Sequence, residues 1–177
     1  MADLKERTLE TEEIFKGYII NLKVKTVELP NGDEGQREIV EHHGGAAVIP
    51  YHDGEVILIK QFRKAVEETI YELPAGMIEE GEEPLDCAQR EVEEETGYRA
   101  NTLEKVCNFY TSPGFTDEEL HIYLATDLTK YEQKMDEHEF VEVVEMPLEE
   151  VEDKLAAGQF KDAKTVIGLQ YLLKENK

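Results

Sequence analysis

The sequence predicts a mixed α/β (α+β) fold, a mixed β-sheet packed between helices and preceded by a β-hairpin. Three observations carry this. Short Val- and Ile-rich runs are punctuated by Asn-Gly and Asp-Gly, and the stretch from Pro84 to Thr96 consists of good helix formers. The strands and helices after it do not strictly alternate, which argues against a doubly wound parallel sheet.

Tyr18 to Leu29 alternates as a strand does, Asn31-Gly32 supplies a turn, and a second extended stretch starts near Arg37. Together they read as a hairpin. Ala46 to Tyr51 and Glu55 to Phe62 are further apolar runs joined by Asp53-Gly54, again strand, turn, strand. Pro84 suits the first turn of the helix and Gly97 its C-terminal stop. Beyond it, strands are expected around Val106 to Tyr110, Leu120 to Ala125 and Val141 to Met146. Helices follow over Leu148 to Ala157 and Asp162 to Lys174.

A chain of 177 residues, 40% hydrophobic and 34% charged, has apolar side chains enough for a core and fits one domain of ordinary size. No repeat or linker divides it. Forty-one acidic against 19 basic residues give a net charge of -22, a field that repels nucleic acid and anionic membranes. An anionic substrate would need a cationic mediator, such as divalent ions held by clustered carboxylates. The N-terminus is charged throughout, and no apolar run approaches the roughly 20 residues of a membrane span. Cys87 and Cys107 lack the number for a disulfide framework and the spacing for zinc, so free buried thiols in the cytoplasm are expected.

On the helix from Pro84, Glu91, Glu94 and Glu95 fall on one arc, with Leu85, Ala88 and Val92 on an adjacent stripe that would anchor it to the sheet. Like charges at such spacings cost roughly 0.2–0.5 kcal/mol per pair, so a helix built only for solubility would interleave Lys. Hard cations would reverse the repulsion. From the helix alone, a solvated acidic face is the competing reading. Its context adds more: Gly76 and Gly81 bracket a loop, Glu82 follows, and Arg90 is placed to pair with Glu82 or Glu94.

The run GMIEEGEEPLDCAQREVEEETGY, Gly76 to Tyr98, resembles the Nudix box. Gly76, Glu82, Arg90, Glu91, Val92, Glu94, Glu95 and Gly97 fill every fixed position, and Tyr98 closes it. The resemblance implies an α/β/α Nudix sandwich and hydrolysis of a nucleoside diphosphate linked to another moiety. It implies Mg2+ or Mn2+, two or three ions per site, bound by Glu91, Glu94, Glu95 and the Ala75 carbonyl, with Glu94 and Arg90 counted in the catalytic machinery.

Over nearly its whole length the chain is similar to the ADP-ribose pyrophosphatase branch of that family. Pro113 in TSPGFTDE stands where the branch carries proline, and the run QFRKAVEETIYELPAG offers Arg63 as a diphosphate contact. DEHEF offers Glu137 as general base, with Glu139 as its substitute. The hairpin resembles an N-terminal subdomain that is exchanged across a homodimer. That implies boundaries at 1–43 and 44–177, with Arg37 near the base and Glu118 near a ribose hydroxyl. The implied reaction is ADP-ribose plus water giving AMP and ribose 5-phosphate. The alternatives are another nucleoside diphosphate sugar such as GDP-mannose, or a non-catalytic ADP-ribose-sensing domain.

Overall fold

In a computed structural model, residues 3–135 and 140–176 are described. The chain forms two compact units, one running to Gly44 and including Phe109–Glu119, the other Gly45–Asn108 with the residues from Leu120 onward.

In the first unit β1 (Arg7–Lys16), β2 (Ile20–Glu28) and β3 (Glu34–His42) form an antiparallel sheet in that order. Gly32, at a φ of +86°, makes the expected turn, and Leu29 N–H donates to the Asp33 carbonyl across it. Strand β1 was not expected. All its residues are exposed, so it shows no apolar alternation. Its ladder to β2 holds it, with Arg7 paired at 2.6 Å to its cross-strand partner Glu28. The 109–119 segment joins this unit through Val40, whose N–H donates to the Phe115 carbonyl.

The second unit is built on a seven-stranded sheet. Its strands are β4 (Gly45–His52), β5 (Glu55–Arg63), β6 (Glu68–Glu72), β7 (Ala75–Met77), β8 (Tyr98–Tyr110), β9 (Glu119–Lys130) and β10 (Val141–Pro147). The order is β10-β5-β4-β9-β8, with β6 on β5 and β7 on β4. The β4–β9 pair is parallel and the β4–β5 and β5–β10 pairs antiparallel, so the sheet is mixed, as expected. Asp53 and Gly54 both take positive φ, the backbone that a two-residue hairpin needs. Strands β6 and β7 are too short to show a period, and β8 begins at Tyr98 rather than Val106.

Three helices pack here: α1 (Pro84–Thr96), α2 (Leu148–Ala156) and α3 (Ala163–Glu175). Alternate residues of β4 serve opposite faces. Ala46 and Val48 join Cys87, Ala88 and Val92 of α1 in one cluster, while Ile49 meets α3 at Gly168. A Cβ on Gly168 would come within 2.6 Å of Leu73, so glycine sets how closely α3 approaches. Full burial of each aliphatic residue here contributes roughly 1.5–3 kcal/mol.

The anchoring stripe of α1 differs from expectation. Leu85, in the first turn, is 46% exposed, and Cys87 is fully buried in its stead. The buried positions are Cys87, Ala88, Glu91, Val92, Glu95 and Thr96, at spacings of one, three, one, three and one. The face that anchors the helix therefore carries two of the three clustered acids, Glu91 and Glu95.

Candidate active site

Helix α1 enters at Pro84 and stops at Gly97, whose φ of 71° and N–H to the Glu93 carbonyl make a left-handed cap. Between them, Glu95 is 1% exposed and Glu91 8%, so the competing reading, a solvated acidic face, holds for neither. Glu95 Oε2 accepts the Ala75 N–H of β7 at 2.8 Å. Glu91 presses against the next residue of that strand: a Cβ on Gly76 would lie 1.8 Å from Glu91 Oε1. Glu94 is more open, its side chain 38% exposed. Two carboxylates are thus seated on the β7 backbone and the third faces outward.

Arg90 organises the rest. Its Nε and Nη2 donate to the two oxygens of Glu82 at 3.0 and 3.1 Å, and Nη1 lies 2.5 Å from Glu91 and 3.3 Å from Glu94. Nη2 also donates to the Met77 carbonyl. The pairing expected with Glu82 or Glu94 includes both, and Glu91 as well. This bidentate bond holds the Glu82 carboxyl below its ordinary value, and the same contacts push the Arg90 guanidinium further up. Glu82 in turn accepts the Glu79 N–H, closing the loop between Gly76 and Gly81.

Among the described residues no group of three or more His, Cys, Asp or Glu side chains converges as a ready metal site. Arg90 stands among the carboxylates and offsets their repulsion. The donors themselves, three carboxylates and a strand backbone, are all oxygen, and two are already seated against β7. That chemistry fits a hard divalent cation such as Mg2+ or Mn2+. Beside it, a cleft of about 360 Å3 is lined by Arg90, Glu93, Glu94, Arg99, Tyr131 and Lys134.

The other candidates are placed as follows. Arg63, at the end of β5, binds buried Glu72 in bidentate fashion at 2.5 and 2.8 Å and also feels the charge of Glu95. Arg37 pairs with Glu6 at 2.5 Å. Glu118 accepts from the Thr111 hydroxyl at 2.6 Å, and its other oxygen lies 3.6 Å from His42 Nδ1. Glu137 and Glu139 lie outside the described residues.

Sequence reasoning missed several neighbours. Gln133 donates to the Glu95 carbonyl at 2.6 Å and Tyr131 N–H to that of Gly97, so residues 131 to 133 lie along the end of α1. Cys87 lies beneath the box, its thiol directed at the Gly76 and Met77 carbonyls, and burial pushes it up to about 12. It carries no thiolate at neutral pH. Cys107 is only half-buried, short of the burial expected. Glu72 and Lys164 form an ion pair within the fold, and no local pattern marked either.

The helix, its acids and the strand behind them carry the pattern of a Nudix box, and the comparisons show the family. The NUDIX domain model matches residues 41–166. The chain is 51% identical to an ADP-ribose pyrophosphatase of Bacillus subtilis (strain 168), over 99% of this chain and 97% of that one. It is 45% identical to a methanol dehydrogenase activator of Bacillus methanolicus, over 95% and 92%. A crystal structure of an ADP compounds hydrolase superposes with a TM-score of 0.85 at 26% identity, covering 97% of this chain and 93% of that one. The chain belongs to the Nudix family, whose members generally use divalent metal ions.

Proposed function

We propose that the protein is an ADP-ribose pyrophosphatase, taking ADP-ribose and water to AMP and ribose 5-phosphate. The observation that carries this is the complete box with Glu91 and Glu95 buried against β7. A binding domain would have no need to keep two carboxylates under cover at that cost. Near-full-length similarity to an ADP-ribose pyrophosphatase supports the substrate.

In this reading Glu91, Glu94, Glu95 and the Ala75 carbonyl hold Mg2+ or Mn2+, two or three ions. Held there, such ions would supply charge to offset the diphosphate and would lower the pKa of water. Arg90 positions the carboxylates through Glu82, Glu91 and Glu94. Arg63 meets the non-bridging oxygens, and Glu137, with Glu139 as substitute, takes the proton of the attacking water. Arg37 would touch the adenine and Glu118 a ribose hydroxyl. Residues 1–43 would serve as the dimerisation subdomain of a homodimer with exchanged N-terminal strands, and residues 44–177 as the hydrolase domain. The exposed Leu9, Ile14, Phe15 and Ile19 support that surface. The unpaired cysteines support a cytoplasmic enzyme, and among the described residues no helix is long and apolar enough to cross a membrane.

The test is product release from ADP-ribose, GDP-mannose, diadenosine polyphosphates and nucleoside triphosphates, with Mg2+ or EDTA, for wild type and Glu95→Gln. ADP-ribose should be cleaved best, only with metal, and at least about 100-fold more slowly by the variant. Faster cleavage of GDP-mannose would replace the substrate. Binding without turnover would make the chain a sensor.

A further inference from the structure

Arg63 and Glu72 hold an arrangement that substrate contact alone does not require. Glu72 is 1% exposed. Both its oxygens take the Arg63 fork, and Oε2 is also paired with Lys164 Nζ. Lys164 in turn lies 3.1 Å from Asp162, the residue that caps α3 through the Thr165 N–H. The Thr165 hydroxyl accepts the N–H of Leu73, the residue after Glu72. Glu72 is thus fixed from the neighbouring strand β5 and from the start of α3. Burial pushes its carboxyl up, but the Arg63 hydrogen bonds and the Lys164 charge outweigh this and hold it below its ordinary value.

Arg63 is different. Its side chain is 43% exposed, and among the described residues its Nη1 makes no hydrogen bond. The Nε and Nη2 donors are spent on Glu72, while the opposite edge of a rigid planar fork stays open. A closed ion pair serving stability alone would gain little over apolar packing. One edge anchored and one edge open is what orienting a guanidinium toward a second oxyanion requires.

We propose that Glu72, braced by Lys164, is a positioning residue that aims the open edge of Arg63 at the substrate diphosphate. This rests on Arg63 meeting the diphosphate, as proposed above.

The experiment is a double-mutant cycle of Arg63→Ala and Glu72→Gln, reading kcat and KM for ADP-ribose, affinity for its α,β-methylene analogue, and thermal midpoint. Glu72→Gln should lower kcat/KM about 10- to 100-fold, as loss of an orienting partner does, and weaken analogue binding. In the Arg63→Ala background it should cost nothing more, because Glu72 acts only through Arg63. Because Glu72→Gln leaves Arg63, Lys164 and Asp162 with one surplus positive charge, Glu72→Gln/Lys164→Met restores the charge balance. Recovery of its midpoint without recovery of kcat/KM supports positioning. Recovery of both, an unimpaired Glu72→Gln, or an equal loss in both backgrounds overturns it and leaves the diphosphate contact standing. A harmless Arg63→Ala overturns that contact and the positioning role with it.

Discussion

Arg90 and Arg63 are both held by carboxylates, yet one is saturated and the other is half open. Every nitrogen of Arg90 is engaged, by Glu82, Glu91, Glu94 and the Met77 carbonyl. It has no edge left for a ligand. Arg63 spends two nitrogens on Glu72 and keeps the third available. Identical side chains therefore do different work, one holding acids in place and the other presenting charge. What separates them is how many donors the fold consumes.

Replacing each arginine by lysine keeps the charge and removes the fork, which is the sharpest test of that contrast. The largest effect belongs to Arg90→Lys. Activity should fall about 10- to 100-fold, as for residues that orient ligands, and the urea midpoint should fall with it, because the loop and helix lose a shared tie. Arg63→Lys should come next, losing up to about 1.5 kcal/mol, roughly 10-fold, in turnover, with a smaller fall in urea midpoint because Glu72 keeps its pairing with Lys164. Equal stability losses in both variants would erase the distinction.

Acid provides a smaller, shared perturbation. The folded-state values of Glu72 and Glu82 lie below the ordinary 4.5, so each contributes stability above that value which is lost as pH falls through the folded value. The urea midpoint should drop between about pH 5 and pH 3, and Glu82→Gln should flatten part of that drop. A midpoint that does not change over this range would mean that neither carboxyl is held down. Least of all, Leu85→Ser, on the helix of Arg90 but outside both clusters, should change stability by no more than about 0.5 kcal/mol. A larger loss would show Leu85 to be covered in solution.

The contrast also marks how far the sequence could be read. The Arg90 cluster was legible because its members sit on one helix and the loop before it, where spacing fixes direction. The second cluster joins Glu72 to Lys164 across 92 residues, and nothing local announces which lysine comes to rest there. The hairpins of β2–β3 and β4–β5 were legible from Asn-Gly and Asp-Gly, whereas β1 was not, because hydrogen bonding rather than burial holds it. The three acids were legible as one arc, but the burial of Glu91 and Glu95 was not. Apolar spacing alone pointed to Leu85 as an anchor, whereas the helix buries Glu91 and Glu95 beside Ala88 and Val92.

One contact gives an unusual handle on this centre. Gly76 is not among the residues at positive φ, so its backbone does not demand glycine; the Glu91 carboxylate fills the space where a side chain would begin. A single added methyl at that position would evict a carboxylate while leaving every ionisable group of the box in the sequence. For anyone building an inactive counterpart to trap ligands, Gly76→Ala is therefore a lesion of shape alone, with the net charge of the protein unaltered.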